Sequence, residues 1–200
     1  IPTENIITVF GGEKKNLDIG LCLHTLEKTR NNLREQEKKI TIADAQYTEI
    51  CRVLDETAEK INRGHTFECF LDTYKKLKER NIRVCVHLIN GLPGETFEMM
   101  VETAKVVGSL KPDAVKIHLL HIMQGTVMHK QFLNGEFEEM AFDDYIKTVC
   151  TQLTYLPVET VIERITGDGS KDKLVAPLWS KDKIRVLGTI DKYMNDNDLY

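Results

Sequence analysis

Apolar residues change their spacing along the chain, and the change separates helices from strands. From Asp44 onward, Tyr47, Ile50, Cys51, Leu54, Ala58 and Ile61 recur three or four residues apart, which places them on one face of a helix. Asp44 stands where a side-chain oxygen can cap the first turn. Gly64, after Arg63, stands where a left-handed residue would end the helix. Phe67, Phe70, Leu71, Tyr74 and Leu77 predict a second helix that closes in 78–81. The segment 82–89 is short, β-branched and bounded by the turn sequence of 90–94, so it reads as a strand. The order then repeats. A helix over 96–110 (Phe97, Met100, Ala104, Val107) precedes a strand over 114–122, and a helix over 142–156 (Tyr145, Ile146, Val149, Leu153) precedes a strand over 160–166. Ser180 is placed to cap a last helix carrying Ile184, Leu187, Ile190 and Met194. Alternation of this kind predicts an α/β fold with a parallel sheet under helical cover, doubly wound or barrel-like.

The first 45 residues follow another pattern. A short β-like run over 6–10 ends at Gly11–Gly12, and 27–39 is so rich in charge and amide that it suits a solvated helix or an insert. The chain therefore divides into an atypical segment with a charged insert, 1–45, and a regular α/β part, 46–200.

Polar residues interrupt the strands in a regular way. Strands of a covered parallel sheet are normally apolar on both faces. Here Cys85, His87 and Ile89 alternate with Val84, Val86 and Leu88, and Lys116, His118 and Leu120 alternate with Val115, Ile117 and Leu119. The apolar sets can pack on helices while the polar sets face a cavity. On the third strand Glu163 and Arg164 are consecutive, so simple alternation brings at most one of them to that cavity. An unpaired buried Lys116 or Arg164 would cost several kcal/mol, so each needs a carboxylate, a ligand or water. A substrate cavity supplies all three; a structural salt bridge such as Lys116 with Glu163, with the histidines hydrogen-bonded in the core, is the other solution. Three glycine-bearing loops, NGLPGE (90–95), HIMQGT (121–126) and TGDG (166–169), leave the strands at one edge of the sheet, where α/β folds bind ligands. Met99, Met100, Met123 and Met128 are read as packing residues.

The 200 residues carry a net charge of −4, which gives no broad basic footprint for a polyanion and makes nucleic acid an unexpected surface partner. No apolar run approaches the ~18 residues of a membrane span, and no signal pattern opens the chain. A cytoplasmic location is expected. The five cysteines, Cys22, Cys51, Cys69, Cys85 and Cys150, are scattered and form no CxxC or CxxxCxxC spacing, so they read as reduced, mostly core thiols. The first residue is Ile1 rather than Met, so an upstream segment is expected to have been removed.

The strings INRGHTFECF (61–70), VCVHLINGLPGET (84–96), VKIHLLHIMQGT (115–126), IERITGDG (162–169) and LVAPLWSKDK (174–183) together resemble the YhcC-like subfamily of the radical S-adenosylmethionine (SAM) superfamily. That subfamily is related to its Elongator-type and coproporphyrinogen-oxidase-like members. The resemblance implies a partial (β/α)6 barrel, here with its N-terminal strands incomplete, in which a 4Fe-4S cluster reductively cleaves SAM to a 5′-deoxyadenosyl radical. The radical then takes hydrogen from a substrate. Ile89 and Gly91 match the Ile-x-Gly that packs on adenine, and His118, Leu119 and Leu120 match the strand whose main chain borders it. Lys116, His118, Arg164 and Asp168 match subfamily motifs without assigned roles; the strand alternation places them at the substrate as candidate catalytic residues.

The departures from the family pattern are equally specific. CxxxCxxC, whose thiolates hold the cluster, is absent from these residues, so no metal ligand is assigned and the cluster's ligands are expected outside this chain. Gly11–Gly12–Glu13 is similar to the SAM-amine loop, and Ile19–Gly20–Leu21 is a faint echo of an earlier strand. The expected function is a radical SAM enzyme domain, incomplete here, acting on an unknown substrate. A non-catalytic nucleoside- or partner-binding module derived from such an enzyme is the alternative. An aldolase-like Schiff base on Lys116 is a third reading, since burial can lower a lysine pKa.

Overall fold

The computed structural model describes residues 54–199 apart from 168 and 171. The readings placed on Asp44, the 6–10 run, the charged 27–39 stretch, the early glycine loop and Asp168 lie outside the described residues.

The described chain opens with helical residues 54–60, α1. Asn62, at φ 53°, takes the left-handed position that ends this helix, and Arg63 N–H reaches back to the Ala58 carbonyl at 2.8 Å. Gly64 is also left-handed but stands two residues later, so the helix end expected at Gly64 falls at Asn62. Helix α2 (Phe67–Glu79) is capped by Thr66, whose hydroxyl accepts from Cys69 N–H. Strand β1 (Cys85–Asn90), helix α3 (Phe97–Ser109, capped by Thr96) and strand β2 (Ala114–Leu119) follow. Beyond them lie β3 (Ile122–Met123), α4 (Val127–Leu133), α5 (Phe142–Leu153), β4 (Val161–Arg164) and β5 (Leu174–Ala176). A 3-10 turn (Leu178–Lys181) leads to α6 (Lys183–Asp196).

Strands β1, β2 and β4 form a parallel sheet in that order, and β3 pairs with β5 as a separate antiparallel ribbon. The run read as one strand over 114–122 is thus broken at Leu120–His121, and its end belongs to the second sheet. Helix α4 and strand β5 had no counterpart in the periodicity. The last helix is capped by Asp182, whose carboxylate accepts from Arg185 N–H at 3.1 Å, while Ser180 donates to the Pro177 carbonyl inside the 3-10 turn. The buried stripe of that helix runs through Val186, Ile190 and Met194, and Ile184 is exposed.

One face of the parallel sheet carries the core. Val86 and Leu88 of β1 and Val115, Ile117 and Leu119 of β2 pack under α3, α5 and α6, against Ala104, Val107, Tyr145, Ile146, Val149 and Ile190. Each large aliphatic side chain buried there contributes roughly 1.5–3 kcal/mol. The N-terminal edge of the sheet is tied down by Asp113, which accepts from Lys78 Nζ and Val84 N–H, both at 2.8 Å. At the opposite edge Asn90 and Gln152, both buried, exchange two amide hydrogen bonds of 2.8 Å, and Gln152 also donates to the Met100 carbonyl at 2.9 Å. This closed polar pair locks the C-terminal end of β1 to α3 and α5. Among the described residues this is an α/β unit of parallel strands with helices on one face.

Candidate functional site

The second face of the sheet carries the polar set. Alternation turns Cys85, His87 and Ile89 of β1 away from the helices, and His87 and Ile89 are exposed, Ile89 by 44%. Lys116 and His118 of β2 stand beside them, partly exposed. The parallel register sets His87 opposite Lys116 and Ile89 opposite His118.

Strand β4 completes the face through an irregularity. Val115 pairs with Ile162, but Lys116 pairs with Arg164, so Glu163 is an extra residue in the ladder. The bulge brings both consecutive side chains to the polar face. Glu163 Oε2 lies 3.1 Å from Lys116 Nζ and takes the Cys85 thiol at 3.7 Å, and Arg164 is close enough for its charge to act on both His87 and His118. Strict alternation had allowed only one of the two.

Charge and burial set the protonation of the face. Burial foremost, then the neighbouring His87, Arg164 and Lys116, pushes His118 down to about 4. His87 is lowered too, by burial and then by Lys116. His118 Nε2 lies 3.2 Å from His87 Nδ1, with the rings stacked at 5.1 Å. At neutral pH the pair is therefore two uncharged imidazoles sharing one hydrogen bond, with a proton acceptor left over. Burial foremost, then the Glu163 carboxylate, raises the Cys85 thiol to about 11, which leaves it a poor nucleophile. The Lys116–Glu163 bridge foreseen as the structural alternative exists. The groups are mated, yet Lys116 and Glu163 keep 28% and 30% of their side-chain surface exposed, so pairing and access to a ligand coexist.

The loops at the C-terminal edge frame this face. Gly91 has φ 81°, which favours glycine, and a Cβ there would lie 3.0 Å from Met140 Cβ. Its donor N–H points to Met100 Sδ at 3.3 Å. Gly91 is thus pinned by packing as well as by any ligand. Leu119 is 4% exposed and turned to the helix layer, so its side chain does not reach the face, and Leu120 N–H is already donated to the Asn90 carbonyl at 2.9 Å. In the sequence His121 stands out only as part of the loop HIMQGT. Its imidazole fills the space left by two glycines: a Cβ on Gly167 would come within 2.9 Å of it, and one on Gly169 within 2.7 Å. The TGDG glycines are therefore a cradle for that ring. A cavity of about 450 Å³ runs along β1, lined by His65, Phe67, His87, Ile89, Leu92 and Glu95 among others. Glu95, from the NGLPGE loop, is raised to about 7 by burial, against a Thr57 hydrogen bond that lowers it.

The two expected cofactors fare differently against these residues. An exposed isoleucine beside a left-handed glycine, at the mouth of a cavity, is a surface that a planar nucleobase can cover. Iron–sulfur ligation needs clustered thiolates. Among the described residues Cys69 is exposed, Cys85 is half-buried, Cys150 is buried and raised to about 12, and no three His, Cys, Asp or Glu side chains are grouped to hold a metal. The described residues do not fit a 4Fe-4S cluster.

Comparison with known proteins gives a consistent picture. Residues 52–107 match the radical SAM superfamily, and residues 112–196 match the radical SAM C-terminal domain. The chain is 46% identical over 148 residues to the uncharacterized protein YtqA of Bacillus subtilis (strain 168), covering 74% of this chain and 46% of that protein. It is 34% identical over 143 residues to protein YhcC of Escherichia coli (strain K12), covering 72% and 46%. The chain thus spans about half the length of the curated relatives it matches. Among solved structures it is similar to the archaeal Methanocaldococcus infernus Elp3 with an N-terminal deletion (1-46), with TM-score 0.62 and 22% identity over 79% of this chain and 40% of that one. That likeness shows the fold.

Proposed function

We propose, since this chain belongs to the radical SAM superfamily, that it forms the part of a radical SAM enzyme that holds the nucleoside of SAM and presents a polar sheet face to the substrate. SAM, when bound in such enzymes, supplies the radical that takes hydrogen from the substrate. The chain's own share is binding and orientation. Ile89 offers an apolar surface to the adenine, with Gly91 turning the chain just beyond it and the main chain of 118–120 alongside. His118 with His87, Lys116 with Glu163, and Arg164 would meet the substrate, and Asp168 belongs to the same group by its place in TGDG. A cytoplasmic setting accords with the free thiols, and among the described residues no helix is long and apolar enough to cross a membrane.

The observation that carries this reading is the two-sided sheet. One face packs on the core, while the other carries exposed Ile89, two hydrogen-bonded histidines and a Lys–Glu–Arg set, and the cavity along β1 reaches this face at His87 and Ile89. A second reading, a nucleoside-binding module without radical chemistry, rests on the same open face around Ile89. Both readings require the nucleoside. Calorimetry of the chain with SAM and with S-adenosylhomocysteine tests them: saturable binding is expected, weakened about tenfold or more by Ile89→Asp, which puts a charge against an apolar ring face. Ile89 is exposed, so the variant should fold. No binding of either compound by the folded wild-type chain would end both readings.

A further inference from the structure

A second cavity, of about 530 Å³, opens between the NGLPGE loop, the loop 136–140 and helix α5. Its wall is acidic. Glu136 and Glu138 of the loop and Asp144 of α5 line it, and all three are exposed. Among the described residues Glu138 and Asp144 enter no ion pair, and Glu136 accepts from the Asn134 amide at 3.1 Å. Lys147, the lysine of this wall, is placed over the Phe97 ring, 4.6 Å from its centroid, and its charge acts on Glu98. The wall thus sets three carboxylates against one ammonium, apart from Glu95, which burial keeps near half-charged at neutral pH.

The same wall includes Thr148, which is 1% exposed and whose hydroxyl has no hydrogen-bond partner. Few buried hydroxyls stay unpaired in folded proteins. A carboxylate only accepts, and a hydroxyl can accept as well, so the cavity calls for a ligand that is rich in donors and positively charged. Among the described residues no three His, Cys, Asp or Glu side chains are grouped to hold a metal, so the acids are too dispersed for one coordinated ion. Pro93, Phe97, Phe137 and Met140 supply apolar wall, along which methylene groups can lie while their charged ends stay with the acids.

We propose that this cavity binds an aliphatic di- or polyamine, with its ammonium groups on Glu136, Glu138 and Asp144 and one of their N–H groups on the Thr148 hydroxyl. The site does not depend on the nucleoside reading, although the two cavities meet at Leu92, Glu95 and Met100.

The test titrates the chain with spermidine by calorimetry, with magnesium at matched ionic strength as the inorganic control. Spermidine is expected to saturate a single site from which magnesium does not displace it. Glu138→Gln and Asp144→Asn should each weaken binding about threefold or more, and the double variant about tenfold or more. Asp143→Asn, in the same helical turn but outside the cavity wall, should leave it unchanged. Thr148→Val removes the hydroxyl at nearly constant shape; it should hold or raise Tm yet weaken binding about fivefold or more, a loss that a merely structural hydroxyl would not cause. The inference is overturned if spermidine does not saturate, if magnesium displaces it, or if Asp143→Asn weakens binding as much as Asp144→Asn. Unchanged binding by folded Thr148→Val overturns it too; should that variant fail to fold, the carboxylate variants decide. It is also overturned if SAM, which itself carries an ammonium and a sulfonium, displaces spermidine competitively, because the cavity would then belong to the cofactor's seat. If spermidine binds as described and SAM does not bind at all, the functional reading falls and the amine site stands.

Discussion

Replacing Gln152 by Leu would show how much of the site's geometry depends on a buried polar pair. Gln152 and Asn90 are 0% and 1% exposed and satisfy each other through two hydrogen bonds of 2.8 Å. Leucine fills a similar volume but strands the Asn90 amide nitrogen and oxygen in the core. At about 1–3 kcal/mol for each unsatisfied buried group, the substitution should cost on the order of 3 kcal/mol, or roughly 6–12 °C in Tm for a domain of this size. The double variant Asn90→Leu/Gln152→Leu removes both partners and should recover at least half of that loss, a coupling that urea denaturation of the four proteins would measure. A cost below about 1 kcal/mol for Gln152→Leu, or a double variant as unstable as the sum of the singles, would refute the reasoning. Because Asn90 lies between Ile89 and Gly91, the same variants should weaken nucleoside binding before the chain unfolds.

Two pH effects follow from the shifted groups. His118 stays neutral in the folded chain down to about 4, against 6.5 ordinarily. The unfolded chain therefore takes up the proton first, and stability falls as pH drops from about 7 toward 4, by about 1–2 kcal/mol once solvent screening is allowed for. His118→Gln should flatten that limb of a stability–pH curve; an unchanged slope would show that the imidazole titrates normally. Glu95 has the opposite effect, since its folded value of about 7 lies above the ordinary 4.5. Its neutral form favours the folded state below that window, and the advantage disappears as pH rises to 7. Glu95→Gln should accordingly make the chain more stable at pH 8 by about 1 kcal/mol and little changed near pH 4, and an equal effect at both pH values would count against burial as the cause.

The helices and the two-faced strands were legible in the sequence because each is written by local spacing. Val86 and Leu88 against His87 and Ile89, or Val115 and Ile117 against Lys116 and His118, can be sorted by counting in twos. What escaped depends on contacts between distant segments. Strand β5 is three residues long and exists only because β3 lies beside it. Helix α4, seven residues without a buried side chain, has no apolar stripe to announce it. The cap of the last helix went to Asp182 because Ser180 was engaged by Pro177 in a 3-10 turn that no periodicity marks. At the site, Lys116, His118 and Arg164 stand out in the sequence itself. His87 and Glu163 stand out less, because the groups they meet lie on neighbouring strands and come beside them only through the register. Leu119 was named for its main chain; its side chain follows the alternation into the core.

The extra residue at Glu163 lets two neighbouring charges share one side of the ribbon. Deleting it would set Arg164 directly after Ile162 and still opposite Lys116, so the guanidinium would keep its side, the register beyond it would hold, and the Ile165 carbonyl would stay with the Tyr145 hydroxyl. What would go is the carboxylate beside Lys116: the bulge adds a charge to the face without moving the strand that carries it.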